Sequence, residues 1–242
     1  MSTFVVVHGG FGGGWEWTPV ARRLRRRGHD LFTPTLTGMG ERAHLAAPDI
    51  GLGTHVDDVV AVLEMEGLED IVLCAHSYGG VPVTGAADRV PERVGLLIYI
   101  DALVPGHGQS ALDLLPGWFA AEARATVDAR GRVPMPSSLE PPRGWIDEHD
   151  RIRYIQRLRA QPLASLTEPI RLTGAVERLP TAFVRCSRAA PPGDPIAAIA
   201  ARARANGWAY RELAAPHDPQ VLDPDGTANL LHELAASMPR AR

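Results

Sequence analysis

Residues 71–80 read Ile-Val-Leu-Cys-Ala-His-Ser-Tyr-Gly-Gly. Ile71 to Ala75 is an unbroken apolar run of strand length, and the two glycines open onto a helical pattern through Ala87. A serine is thus expected at a tight turn between a buried strand and a helix. Ala75, Ser77 and Gly79 form the small-x-Ser-x-Gly pattern that suits such a turn. Small residues on both sides let the backbone reverse sharply, which lifts the hydroxyl clear of the sheet and over the helix N-terminus. Ala75 stands where glycine is commoner, and its methyl group tightens the packing without blocking the turn. The simpler alternative is a serine that only caps a helix.

The flanking sequence repeats the strand-helix alternation. Phe4–Val7 reads as a strand that ends in His8-Gly9-Gly10, followed by a glycine-rich turn, a helix from about Trp15 to Arg27, and a short strand His29–Phe32. This is a parallel β-α-β unit. Thr54 and Asp57 form a capping-box-like start to a helix with Val56, Val59, Val60 and Leu63 on one face, ended by Gly67. Val94–Ile100 is another continuous apolar strand. From Pro105 to about Leu179 prolines are frequent, strand-like runs vanish and short Arg-rich amphipathic helices such as Asp147–Arg159 take over. The alternation then resumes: strand Thr181–Cys186, helix Pro195–Asn206, strand Trp208–Leu213, helix Thr227–Ala236. The expected architecture is an α/β fold with a mostly parallel, doubly wound sheet of about six strands. Its core spans 1–104 and 180–242, and a helical cap, 105–179, is inserted before the last two strands.

Composition agrees with one such unit in 242 residues. With 25 basic and 28 acidic residues the net charge is −3, too balanced for the positive field that nucleic-acid or anionic-membrane binding needs. All 25 basic residues are Arg; no lysine amine exists for a Schiff base or a phosphate-binding loop. The missing lysine, the 21 prolines and the Ala/Arg/Gly-rich tracts point to a GC-rich, bacterial genome. Cys74 and Cys186 lie inside strand-like runs, which argues against a disulfide framework or a thiolate metal site. The apolar run after Met1 is too short for a signal peptide or a membrane span, so a cytoplasmic location is expected.

A serine hydroxyl becomes a competent nucleophile only when a base takes its proton. His217, in the loop Ala214–Asp218 after the last strand, is the candidate, because from there a side chain can reach back over the sheet edge. His8 and His76 flank the two turns and are read as packing the backbone. His29, His44, His55, His107, His149 and His232 show no partner pattern, and no pair has metal-ligand spacing, so neither metal nor cofactor is expected. A carboxylate should orient the imidazole. Two compete: Asp194, which arrives late in the Pro/Gly-rich stretch after Thr181–Cys186, and Asp101, at the end of the strand Val94–Ile100. Asp101 is preferred, because a carboxylate ending an apolar strand is costly without a partner. Backbone donors for an oxyanion are expected from Gly10 and Tyr78, with Phe11 as the alternative to Gly10. Residues 9–14, Gly-Gly-Phe-Gly-Gly-Gly, do not match the GxGxxG spacing of a phosphate cradle. Trp118, Phe119, Trp145 and Tyr154 in the cap suggest a largely apolar pocket, although each taken singly reads equally as cap-to-core packing. Arg42, Arg143, Arg151, Arg153, Arg157 and Arg159 could meet a substrate carboxylate, but such charges usually form a solvated helix face.

The HGG loop with its Trp-x-Trp helix, the HSYGG turn, YIDA-LVP and the late histidine resemble the α/β-hydrolase superfamily, in particular its branch of plant-type methyl esterases and hydroxynitrile lyases with bacterial esterase relatives. The resemblance implies Ser77 as nucleophile, His217 as base, and Gly10 and Tyr78 as oxyanion donors. The lyases carry a lysine beside the histidine where this chain has Asp218, which disfavours cyanohydrin cleavage. The family's usual acid position is vacant, and an acid after the strand ending at Asp101 is similar to the arrangement in some other members. The expected activity is hydrolysis of a small hydrophobic ester, thioester or lactone. A non-hydrolytic cyclase or lyase and a silent binding protein are the alternatives, and a homodimer is left open.

Overall fold

The computed structural model describes residues 1–139, 146–188 and 194–239. Six strands, β1 (Thr3–Val7), β2 (Asp30–Phe32), β3 (Ile71–His76), β4 (Val94–Ile100), β7 (Thr181–Cys186) and β8 (Ala209–Leu213), form a sheet in the order β2-β1-β3-β4-β7-β8. Every pairing within it is parallel. Side chains alternate across the strands into two cores. Val5, Val7, Leu73, Ala75, Leu97, Tyr99 and Phe183 face helices α2 (Leu52–Met65), α3 (Gly80–Arg89) and α8 (Pro195–Ala205). Phe4, Val6, Val72, Cys74, Leu96, Ile98 and Val184 face α1 (Thr18–Arg26) and α10 (Pro224–Ser237). Strands covered on both faces carry no alternation in the sequence, which is why these read as continuous apolar runs.

Several boundaries differ from expectation for identifiable reasons. The helix expected from Trp15 is a 3-10 turn, Gly14–Trp17, that becomes α-helical only at Thr18, with a proline in its first turn. Thr54 does not cap α2. The helix begins two residues earlier, at Leu52, and its Gly53 N–H is satisfied from outside by Glu168 at 3.1 Å. The segment between β4 and β7 is helical but not wholly so. Besides α4 (Ala111–Leu114), α5 (Gly117–Thr126), α6 (Glu148–Arg157) and α7 (Leu163–Thr167), it holds a two-residue antiparallel ladder between β5 (Arg132–Val133) and β6 (Gln161–Pro162). A pairing that short leaves no periodicity to read. A further helix, α9 (Pro219–Leu222), stands between β8 and α10, and α9 and α10 each open on a proline, Pro219 and Pro224. None of the helices among the described residues is long and apolar enough to cross a membrane.

Candidate active site

The carboxyl ends of β3, β4 and β8 converge on one point. Ser77 follows β3 with φ +51°, a left-handed conformation that costs a non-glycine residue on the order of 1–3 kcal/mol. Two contacts hold it there: its carbonyl accepts from Leu103 N–H at 2.9 Å, and Gly79 lies so close to β1 that a Cβ there would meet the His8 carbonyl oxygen at 2.5 Å. Phe11 (φ +64°) and Asp101 (φ +45°) share the unusual conformation and the same cavity. Strain of this kind persists only where the surroundings over-determine it.

Ser77 Oγ lies 2.9 Å from His217 Nε2, and His217 Nδ1 lies 2.7 Å from Asp101 Oδ2. The other Asp101 oxygen accepts from Arg185 Nη1 at 2.6 Å and from Cys186 N–H at 3.1 Å. Burial opposes the Asp101 charge, but the His217 hydrogen bond, the His217 charge and the Arg185 guanidinium together outweigh it and hold the carboxyl below its ordinary range. On His217 burial acts the other way and is likewise outweighed, by the Asp101 hydrogen bond and charge, so the imidazole titrates above its usual value. Asp194 does not reach His217. It pairs with the other arm of Arg185 and caps α8 by accepting from Ile196 N–H at 3.0 Å.

Two further histidines shape the site without facing the reaction point. His8 Nδ1–H donates to Gly9 O at 2.7 Å while its Nε2 accepts from Leu36 N–H at 3.1 Å. Because a trans peptide sets its C=O and N–H antiparallel, drawing the Gly9 carbonyl toward His8 turns the Gly10 N–H the opposite way. His76 Nε2–H donates to the His217 carbonyl at 2.6 Å and so anchors the loop that carries the imidazole. Burial depresses His8 to about 4 and His76 to about 3, so both remain neutral and keep these tautomers. Tyr78 lies in the first turn after Ser77, where amides lack an intrahelical acceptor, and Gly10, Phe11 and Tyr78 all line the cavity.

That cavity, ≈ 370 Å³, is walled by apolar side chains from the segment between β4 and β7. Trp118, Phe119 and Tyr154 are among them; Trp118 is 42% exposed, whereas Phe119 and Tyr154 are buried. Trp145 and Arg143 lie outside the described residues. Of the other arginines, Arg42 pairs with Asp58, Arg151 with Glu148, and Arg157 stacks over the Trp15 ring at 3.7 Å. Four polar residues of the cavity neighbourhood had no signature in the sequence: Arg185, Glu16, Asp218 and Gln161. Glu16 is buried, accepts from the Tyr154 hydroxyl at 2.9 Å, and is pushed well above the usual carboxylate range by burial and by the nearby Asp218. The sequence offers no partner pattern for the remaining histidines, yet His55, His29 and His232 hydrogen-bond to other side chains. His55 donates through Nε2 to Thr37 O and accepts from the Tyr78 hydroxyl, and His29 pairs with His232 at 2.8 Å. Those partners are distant in sequence, so no spacing could disclose them.

Comparison with known proteins places this geometry among relatives. Over 125 residues the chain is 46% identical to the carbendazim hydrolyzing esterase of Nocardioides sp. (strain SG-4G), covering 52% of each chain. It is 33% identical over 106 residues to methylesterase 9 of Arabidopsis thaliana, covering 43% of this chain and 41% of that one. The matched stretch thus spans about half or less of these curated relatives' length. Among solved structures, an extracellular alpha/beta-hydrolase from Paenibacillus species superposes with a TM-score of 0.85 over 96% of this chain and 98% of that one at 22% identity. A variant of polyneuridine aldehyde esterase does so with a TM-score of 0.76, over 96% and 98%, at 17% identity. A model of the alpha/beta hydrolase family matches residues 4–230, and the chain belongs to that family.

Proposed function

We propose that the protein is a serine esterase that cleaves small hydrophobic carboxylic esters through an acyl-enzyme; thioesters and lactones present the same electrophile. The observation that carries this reading is the unbroken hydrogen-bonded row Ser77–His217–Asp101 opening into an apolar cavity. His217 Nε2 takes the Ser77 proton as Oγ attacks the ester carbonyl, and Asp101 stabilises the imidazolium and holds its Nδ1–H tautomer. The Gly10 and Tyr78 N–H groups receive the oxyanion. His217 then protonates the departing alkoxide, and water deprotonated by His217 releases the acid and restores Ser77. The segment 105–179 serves as the cap that shields these steps from bulk water. The relatives' names, an esterase and a methylesterase, support the reaction class.

The test is labelling with a fluorophosphonate, read by intact mass, alongside turnover of an aryl ester. The parent should gain one adduct, and Ser77→Ala should lose both labelling and turnover with an unchanged circular dichroism spectrum. A parent that stays unlabelled at neutral pH, or an alanine variant that labels fully, refutes the reading.

A further inference from the structure

Two buried histidines outside the Ser77–His217–Asp101 row meet on one short stretch of chain. His55, fully buried in α2, stands 2.9 Å through Nε2 from the Thr37 carbonyl. A carbonyl can only accept, so Nε2 carries the ring hydrogen and Nδ1 is left as an acceptor. The Tyr78 hydroxyl therefore spends its one hydrogen on Nδ1 at 2.8 Å, and the Ser165 carbonyl, at 3.2 Å, is its longer contact. Burial lowers the His55 pKa, which keeps the ring neutral and this tautomer in place. The preceding residue, Leu36, donates its N–H to His8 Nε2 at 3.1 Å. Thr37 is in turn clamped to α2, its N–H and hydroxyl donating to Asp58 at 2.6 and 2.8 Å.

These two histidines end on the two peptides that carry the proposed oxyanion donors. His8 holds the Gly9 carbonyl and thereby turns the Gly10 N–H to the opposite side of their shared peptide. The Tyr78 N–H shares its peptide with the Ser77 carbonyl, which accepts from Leu103 N–H at 2.9 Å. That bond fixes one end of the peptide. The other end is the Tyr78 Cα, and its anchor is the side chain: the ring is buried, meets the His55 ring edge-to-face with centroids 5.8 Å apart, and is tied at its far end by the hydroxyl. Ser77 is held at φ +51°, so the turn gains by relaxing, and relaxation rotates this amide away. A phenol fixed at both ends resists that rotation.

Building on the esterase reading, we propose that His55 is a positioning residue for the oxyanion hole: by holding the Tyr78 hydroxyl it keeps the Tyr78 N–H aimed at the substrate oxyanion. Leu36 and Thr37 then form one brace for both donors, Leu36 through His8 and Thr37 through His55. His55 does not line the cavity, so its effect on the reaction passes through Tyr78. An oxyanion donor acts on charge that develops only as the tetrahedral intermediate forms. Misaiming it slows the chemical steps and leaves ground-state binding alone. A histidine that only packed α2 against the core would change thermal stability and not this balance.

Tyr78→Phe keeps the ring and removes the anchor, and His55→Leu removes it from the other side. Each should lower kcat on phenyl acetate about tenfold, less than the roughly 10²–10³-fold that follows complete loss of a donor, while KM stays within about twofold. Phenethyl trifluoromethyl ketone reads the hole directly: Ser77 Oγ adds to its carbonyl carbon as the proton passes to His217, which leaves an oxyanion between the two amides. Its affinity should weaken by the factor by which kcat falls. The double variant should be no slower than the slower single one, since both act through one hydrogen bond. Parental kcat and ketone affinity in Tyr78→Phe, a raised KM at parental kcat, or a loss of kcat with unchanged ketone affinity overturns the proposal. Tyr78→Phe decides the matter even where His55→Leu does not fold, because it leaves the histidine and the packed ring in place. Fluorophosphonate labelling of the parent separates the two ideas. A labelled parent with unaffected variants defeats the positioning role alone, whereas an unlabelled parent defeats the esterase reading beneath it.

Discussion

Ser77, His217 and Asp101 belong to three different strand ends, and each is held by a neighbour that does not touch the reaction point. Leu103 fixes the Ser77 carbonyl, His76 the His217 carbonyl, and Arg185 the far oxygen of Asp101. Arg185 divides its two arms between Asp101 and Asp194, but only Asp101 faces the imidazole. Asp101→Asn should therefore slow acylation by about 10⁴-fold, the scale found when the acid of a Ser-His-Asp row is neutralised, while Asp194→Asn should stay within about threefold by the same reasoning, because Arg185 keeps its Asp101 contact. The pH profile gives the sign. His217 must be neutral to accept a proton, and its raised pKa means that kcat/KM falls with decreasing pH already above the ordinary imidazole value of 6.5. Asp101→Asn removes what raises it, so the acidic limb should move downward. A limb that stays in place in the asparagine variant, or a larger loss with Asp194→Asn, would transfer the orienting role to the other carboxylate.

At the scale of elements, the approach from the β4–β7 segment back into the sheet is tied down by one side chain. Asp88, near the end of α3, accepts from the N–H groups of Thr173, Gly174 and Val176 at 2.6, 3.0 and 3.1 Å. Burial opposes its charge, but these backbone donors prevail and the carboxyl titrates below its ordinary value. A depressed folded pKa means that the stabilisation is fully present above the unfolded value and is lost as pH falls through the folded one. Asp88→Asn, which offers one acceptor oxygen to three donors, should cost about 1–3 kcal/mol near pH 7. For a chain of this length that lowers Tm by roughly 2–12 °C. Thermal unfolding of both proteins across pH checks it: the gap should narrow in acid, and a gap constant down to pH 2 would show that the charge is not what the turn uses.

Over the whole molecule, two apolar cores on opposite faces of one parallel sheet leave the chemistry to the edge where the strands end, as expected for an open α/β sheet. In the proposed mechanism the row of serine, histidine and aspartate supplies nucleophile, base and orienting charge from protein groups alone. That mechanism calls for no metal ion, so ester turnover should be unchanged after prolonged incubation with excess EDTA; a loss that zinc restores would require a different mechanism.

Local sequence determined the fold and the short list of reactive residues, because both are written in nearest-neighbour patterns: apolar runs of strand length, glycines where the backbone must turn, a serine between a strand and a helix. Ser77, His217 and Asp101 could be singled out this way, and the tertiary structure brings them into one hydrogen-bonded row. The start of α2 could not be read, since its Gly53 amide is satisfied by Glu168, which lies far along the chain just after α7. Nor could the pairing of Arg185 with two acids, the burial of Glu16 beside Asp218, or the unpartnered oxygen of Gln161. These features arise from contacts between residues far apart in the chain, and the energy of a buried charge or acceptor depends on what surrounds it in space, which no local pattern encodes.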